Sequence, residues 1–147
     1  MKTGFIVGKF MPPHKGHLAL IDFALKNCDS LIIAVCSRPD DPTSGSERLL
    51  WMRKLFKSRK NIKFVSIKAN LPRGEKQSRA ASDVWCKYIK KRFGKIDVVF
   101  SSEKYGDYLA KFLSIEHKLF DLKRKKFPIS ATQIRNNSLR YSGFIAK

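Results

Sequence analysis

The stretch GKFMPPHKGH, Gly8 to His17, lies directly behind the apolar run GFIVG at 4–8 and leads into the amphipathic segment HLALIDFALKN. It holds two of the chain's three histidines, His14 and His17, in a protein otherwise dominated by lysine and arginine. Gly8 is expected to let the chain turn out of a strand, Pro12 and Pro13 to stiffen the loop, and Gly16 to let a helix begin tightly at His17. Two imidazoles three residues apart then face one point beside a helix N-terminus. Backbone N–H groups and the helix dipole favour an anion there. Imidazole can add hydrogen bonds to phosphate oxygens, and Lys9 can add a full positive charge. Alone, the pair reads equally as one capping and one surface histidine, or as half of a metal site. The latter wants further ligands, and none lie close by in sequence.

Outward from this unit, strand-like runs recur: SLIIAVC at 30–36, IKFVSI at 62–67, DVVF at 97–100 and HKLFDL at 117–122. Between them, Leu18, Ile21, Ala24 and Leu25 form one helical stripe, and Leu49, Met52, Leu55 and Phe56 another. Ser44-Gly45-Ser46-Glu47 has capping-box spacing and is expected to open that second helix. SDVWCKYIKKRF and YGDYLAKFL supply two more helices. Alternation of this kind implies βαβ units. The expected fold is a Rossmann-like α/β domain spanning residues 1–147, an open, mostly parallel sheet of about five strands with helices on both faces. The turn-rich stretches at 37–46 and 70–80 follow the second and third strands. They therefore belong at the carboxyl edge, where open α/β sheets bind ligands.

Length and composition fit one globular domain: 147 residues, 43% hydrophobic, 12% aromatic. No apolar window is long enough for a signal peptide or a membrane span. Cys28, Cys36 and Cys86 lack metal-ligand spacing and read as reduced, mostly buried thiols of a cytoplasmic protein. The formal net charge of +19 is regional, with fifteen Lys or Arg between Arg53 and Lys95 against Glu75 and Asp83. Such a surface attracts polyanions, or it simply keeps the protein in solution.

Near the C-terminus stands ISATQIR, Ile129 to Arg135. Ser130 or Thr132 can open a short helix whose first N–H groups again suit an anion, and Arg135 can grip phosphate with its planar fork. HKGH and ISATQIR together resemble the two signatures of the HxGH nucleotidylyltransferase superfamily. Within it, GKFMPPHKGH, ERLLWMRKLF, SDVWCKYIKK, DVVFSSEKYGDYLA and FPISATQIRNNSLRY look most like the nicotinamide mononucleotide adenylyltransferase domain of bacterial NadR-type proteins. The resemblance implies transfer of AMP from ATP to nicotinamide mononucleotide, giving NAD and pyrophosphate. It assigns His14, His17, Lys9 and Arg135 to catalysis, and Gly8, Phe10, Met11, Gly16, Ser130 and Thr132 to ATP. Mg²⁺ is expected to travel mainly on the ATP phosphates, with no protein metal ligand.

The resemblance also gives Trp85 as a stacking partner for the pyridinium ring, where a core position is the even alternative. Arg48 is read as approaching the acceptor, or else as a helix-surface residue. The loop opening at SSEKYG is read as contacting ribose or adenine. Since no Walker-type run is present and no room remains for a helix-turn-helix, kinase and repressor roles are not expected to carry over. The expected partners are ATP and nicotinamide mononucleotide, with no membrane and no nucleic acid despite the charge, and a homo-oligomer is allowed. Two rivals remain: a nucleotidylyltransferase acting on phosphopantetheine, FMN or a phosphoalcohol, and a non-catalytic basic module that binds nucleic acid.

Overall fold

The computed structural model describes residues 1–10, 13–38, 41, 44–67, 79–101, 110, 111 and 113–120. In chain order these form β1 (Thr3–Gly8), α1 (Lys15–Leu25), β2 (Ser30–Cys36), α2 (Gly45–Leu55), β3 (Ile62–Ile67), α3 (Arg79–Phe93), β4 (Val98–Ser101) and β5 (Glu116–Leu119). Of the expected helix at 105–113, residues 110, 111 and 113 are described, and all three are helical.

The strands make one five-stranded sheet in the order β3-β2-β1-β4-β5, parallel throughout. A parallel sheet is covered on both faces, so its central strands carry apolar residues on both sides. In β1, Phe5, Ile6 and Val7 are all buried. Ile6 joins Ile33 and Val98 under Leu20, Ile21 and Ala24 of α1 and Met52 of α2. Phe5 and Val7 turn to the other face with Ala34 and Val99, under Cys86 and Ile89 of α3. Each large side chain so enclosed contributes about 1.5–3 kcal/mol relative to exposure. The expected α/β fold is therefore the observed one.

The path runs outward from β1 to β2 and β3, then returns through α3 to place β4 on the other side of β1. The strand order thus reverses between β1 and β4, the topological switch point at which such sheets bind ligands. β1 keeps register with β2 as far as Gly8↔Val35. With β4 it pairs only at Gly4↔Val98 and Phe5↔Val99. The switch point therefore lies at the carboxyl edge, where β1 leads into the GKFMPPHKGH loop.

Candidate active site

The loop after β1 turns at Phe10, not at Gly8 as the sequence suggested. Gly8 remains in the strand, paired with Val35. Phe10 takes the left-handed conformation, φ +51°, which costs a residue with a Cβ about 1–2 kcal/mol. Burial of its ring, 2% exposed, offsets that. Gly8 matters for another reason, since a Cβ there would meet the Phe10 ring at 3.2 Å. The glycine makes room for the phenylalanine, and the phenylalanine makes the turn.

Helix α1 then starts at Lys15, two residues before the expected start, because His14 is its cap. The imidazole Nδ1 of His14 accepts from the N–H of Gly16 at 3.1 Å and of His17 at 3.3 Å. In return the N–H of His14 donates to Nδ1 of His17 at 3.1 Å. This is a capping box built from two histidines in place of the usual hydroxyl and carboxyl pair. The two rings stack with centroids 3.7 Å apart and planes 21° from parallel, and the Phe10 ring packs T-shaped on His17 with centroids 4.7 Å apart.

That arrangement fixes the chemistry. A nitrogen that accepts a hydrogen bond must keep its lone pair, so both rings are neutral in this geometry with the proton on Nε2. Each histidine is therefore a hydrogen-bond donor at Nε2. The sequence had offered the first backbone N–H groups of α1 as the anion donors. That of Gly16 is instead engaged by His14 Nδ1, and that of His17 by the His14 carbonyl and Nδ1 together.

Arg48 departs from the helix-surface reading. Its guanidinium is 0% exposed and sits inside the protein at the carboxyl ends of β1 and β2. Nη1 donates to the carbonyls of Lys9 at 2.7 Å and Cys36 at 3.0 Å, and Nε to the carbonyl of Ser44 at 3.3 Å. Nη2 pairs with Asp41 Oδ2 at 2.8 Å, and the N–H of Arg38 donates to the same oxygen. Lys9, half-buried, directly follows β1.

The third histidine was not singled out from the sequence. His117 of β5 places Nε2 2.7 Å from the hydroxyl of Ser101, buried at the carboxyl end of β4. The hydroxyl is thereby oriented where the SSEKYG loop begins. Its signal was only that a histidine with polar neighbours sits in a strand two places from the sheet's ligand edge.

Met11, Ser130, Thr132, Arg135 and the rest of the ISATQIR segment lie outside the described residues, as does the SSEKYG loop beyond Ser101. Trp85 belongs to α3, and its side chain too lies outside the description. The three cysteines are not joined in disulfides. Burial raises the thiol pKa of Cys28 and of Cys36 above the ordinary value. Among the described residues no helix is long and apolar enough to cross a membrane.

Residues 5–137 match the cytidylyltransferase-like family model. The trifunctional NAD biosynthesis/regulator protein NadR of Escherichia coli K12 is 32% identical over 97% of this chain, which spans 38% of NadR's length. The nicotinamide-nucleotide adenylyltransferase of Pyrococcus furiosus is 27% identical over 95% of this chain and 74% of its own. Among solved structures, a NadR protein in complex with NAD and AMP-PNP superposes with TM-score 0.68 at 22% identity, over 98% of this chain and 44% of that one. A bifunctional NMN adenylyltransferase/ADP ribose pyrophosphatase of Francisella tularensis, complexed with AMP and manganese ion, gives TM-score 0.64 at 21% identity over 99% and 43%. The two solved structures share the fold described above. With its family match running from within β1 through the ISATQIR motif, this chain belongs to the cytidylyltransferase-like family.

Proposed function

We propose that this domain, residues 1–147, transfers AMP from ATP to nicotinamide mononucleotide, releasing pyrophosphate and forming NAD. One observation carries the reading: two stacked, mutually capping histidines, each with Nδ1 accepting from backbone N–H, stand at the switch point of a 3-2-1-4-5 parallel sheet. The E. coli and P. furiosus relatives, by their names, support the choice of reaction and acceptor.

In the reaction a phosphate oxygen of the mononucleotide attacks the α-phosphorus of ATP. A P–O bond forms there, the bond from the α-phosphorus to the bridging oxygen breaks, and its electron pair leaves with pyrophosphate. The attacking phosphate is ionised near neutral pH, so no general base is needed. Catalysis then rests on aligning two polyanions and on donors aimed at the charge that develops. His14 and His17 donate to the α- and β-phosphates, and their preset tautomers spare reorganisation as the reaction proceeds. Lys9, with Arg135 from the second motif, stabilises the leaving group. Gly8, Phe10, Met11 and Gly16 shape the loop around ATP, Ser130 and Thr132 add N-terminal donors, and Trp85 stacks on the pyridinium ring.

The described donor set suits phosphate better than a resident metal. Both histidine Nδ1 atoms are engaged by backbone N–H groups, and the Asp41 carboxylate is engaged by Arg48 and Arg38. Mg²⁺, entering on the triphosphate oxygens, would neutralise charge on the departing pyrophosphate.

The test is purified protein with ATP, Mg²⁺ and nicotinamide mononucleotide, with NAD and pyrophosphate measured separately. Equal amounts of both products are expected. Turnover confined to CTP or to another phosphorylated acceptor in the same panel would overturn the assignment.

A further inference from the structure

Arg48 is a fully buried cation that bonds the end of β1, the end of β2 and two residues ahead of its own helix, Asp41 and Ser44. Their positions are informative. β1 and β2 are in register at Gly8↔Val35, so Lys9 and Cys36 are the next pair, where the parallel ladder ends. Nη1 bonds both of their carbonyls. The guanidinium thus closes the sheet edge while Asp41, its side chain 6% exposed, neutralises it from the 37–44 loop. Only a planar fork reaches two carbonyls and a carboxylate together; a lysine ammonium does not.

The Lys9 carbonyl belongs to the peptide plane that precedes Phe10. Holding that carbonyl towards Arg48 sets the rotation about the N–Cα bond of Phe10, the unusual φ of +51°. Phe10 in turn packs T-shaped against His17, which stacks on His14. A continuous path therefore runs from Asp41 through Arg48, Lys9 and Phe10 to the two imidazoles.

We propose that Arg48 and Asp41 are positioning residues for the histidine pair: their buried ion pair holds the loop after β1 in the one conformation that aims both Nε2–H donors at the triphosphate. This rests on the adenylyltransferase reading for its catalytic consequence, but not for its structural one. A disturbed clasp misplaces the donors without removing them, and small displacements of this kind cost about tenfold to a hundredfold in rate.

The experiment compares Asp41→Asn, which keeps shape and an acceptor oxygen but loses the charge, with wild type, His14→Ala and the double variant. Two readouts are needed: steady-state kinetics, and the ¹⁵N shifts of the His14 and His17 rings, which report tautomer and hydrogen bonding. The proposal expects kcat to fall about tenfold or more in the wild-type background but less than about twofold in the His14→Ala background, since the effect passes through His14. The acceptor KM stays within about twofold, and the ¹⁵N pattern of both rings changes. An equal loss in both backgrounds, a raised acceptor KM as the main effect, or unchanged ring shifts would each overturn it. If wild type shows no adenylyl transfer, the functional assignment fails, yet the ring shifts still decide the clasp. Should Asp41→Asn not fold, Asp41→Glu, with the charge on a longer arm, carries the same readouts.

Discussion

Helices α1 and α2 leave neighbouring parallel strands, cover the same face of the sheet, and start at the same edge. Their first turns are built differently. At α2 the cap is Ser44, whose hydroxyl accepts from the N–H of Glu47 at 3.1 Å, the first half of the expected capping box. A serine cap has one role. At α1 the cap is His14, and its ring has two: Nδ1 closes the helix start while Nε2–H remains a donor. The cation one turn into α2, Arg48, is folded inward instead of being offered to solvent. Two similar βα units thus divide the work. On the proposed reading, the first carries the phosphate donors and the second holds the first in place.

The largest expected effect separates the two roles of His14. His14→Ala removes cap and donor together, and should lower adenylyl transfer about a hundredfold or more while costing about 1 kcal/mol of stability. His14→Asn restores an N-cap oxygen but offers the α-phosphate a differently placed amide. It should recover most of the melting temperature and little of the rate. Measured by thermal unfolding and NAD formation, equal recovery of both would mean that the residue does nothing beyond capping.

The α2 side should respond in stability instead. A Cβ on Gly45 would lie 2.5 Å from the Ser37 hydroxyl oxygen and 2.6 Å from its Cβ. These atoms sit on backbone that cannot yield cheaply, so Gly45→Ala should cost about 1–3 kcal/mol in denaturant unfolding. Its effect on rate should be smaller than that of His14→Ala. Ser44→Ala removes a cap that is only a cap, and about 1 kcal/mol should be lost with kcat nearly unchanged. A large rate loss from Ser44→Ala would erase the distinction between the two helix starts.

The same comparison explains what could be read from the sequence. The fold was legible because doubly covered parallel strands appear as apolar runs such as GFIVG and SLIIAVC, separated by helical stripes. The start of α1 was misplaced because imidazole is not among the usual capping groups. The turn was given to Gly8 because glycine is the ordinary occupant of positive φ, whereas this loop places Phe10 there. Arg48 was read as approaching the acceptor from the resemblance of its ERLLWM stretch, or else as a helix-surface residue. Periodicity carried the better signal, since Arg48 precedes the buried Met52 by four residues and Leu55 by seven, on the core stripe. What no spacing encodes is that its partners are backbone carbonyls, which every residue possesses.

The smallest effect concerns the thiol at the end of β2. Cys36 lends its carbonyl to Arg48, and burial pushes its thiol pKa up, more than nearby cations pull it down. Cys28 is shifted in the same direction by the same cause. The thiolate is the form that reacts, so the native protein should be alkylated slowly by iodoacetamide at pH 8, and more slowly than after unfolding in urea. The sign for stability follows from proton counts. Above the ordinary thiol pKa the unfolded chain has lost protons that the native state still holds, so raising the pH must weaken folding. This contribution is intact at neutral pH and fades from the ordinary thiol range upward. Cys36→Ser should flatten that alkaline slope slightly. Cys86, buried among Phe5 and Ile89 on the other face, should stay the last to react. Fast alkylation of native Cys36 at neutral pH would mean that the edge where Arg48 binds is open to solvent, and that the second βα unit does not brace the first.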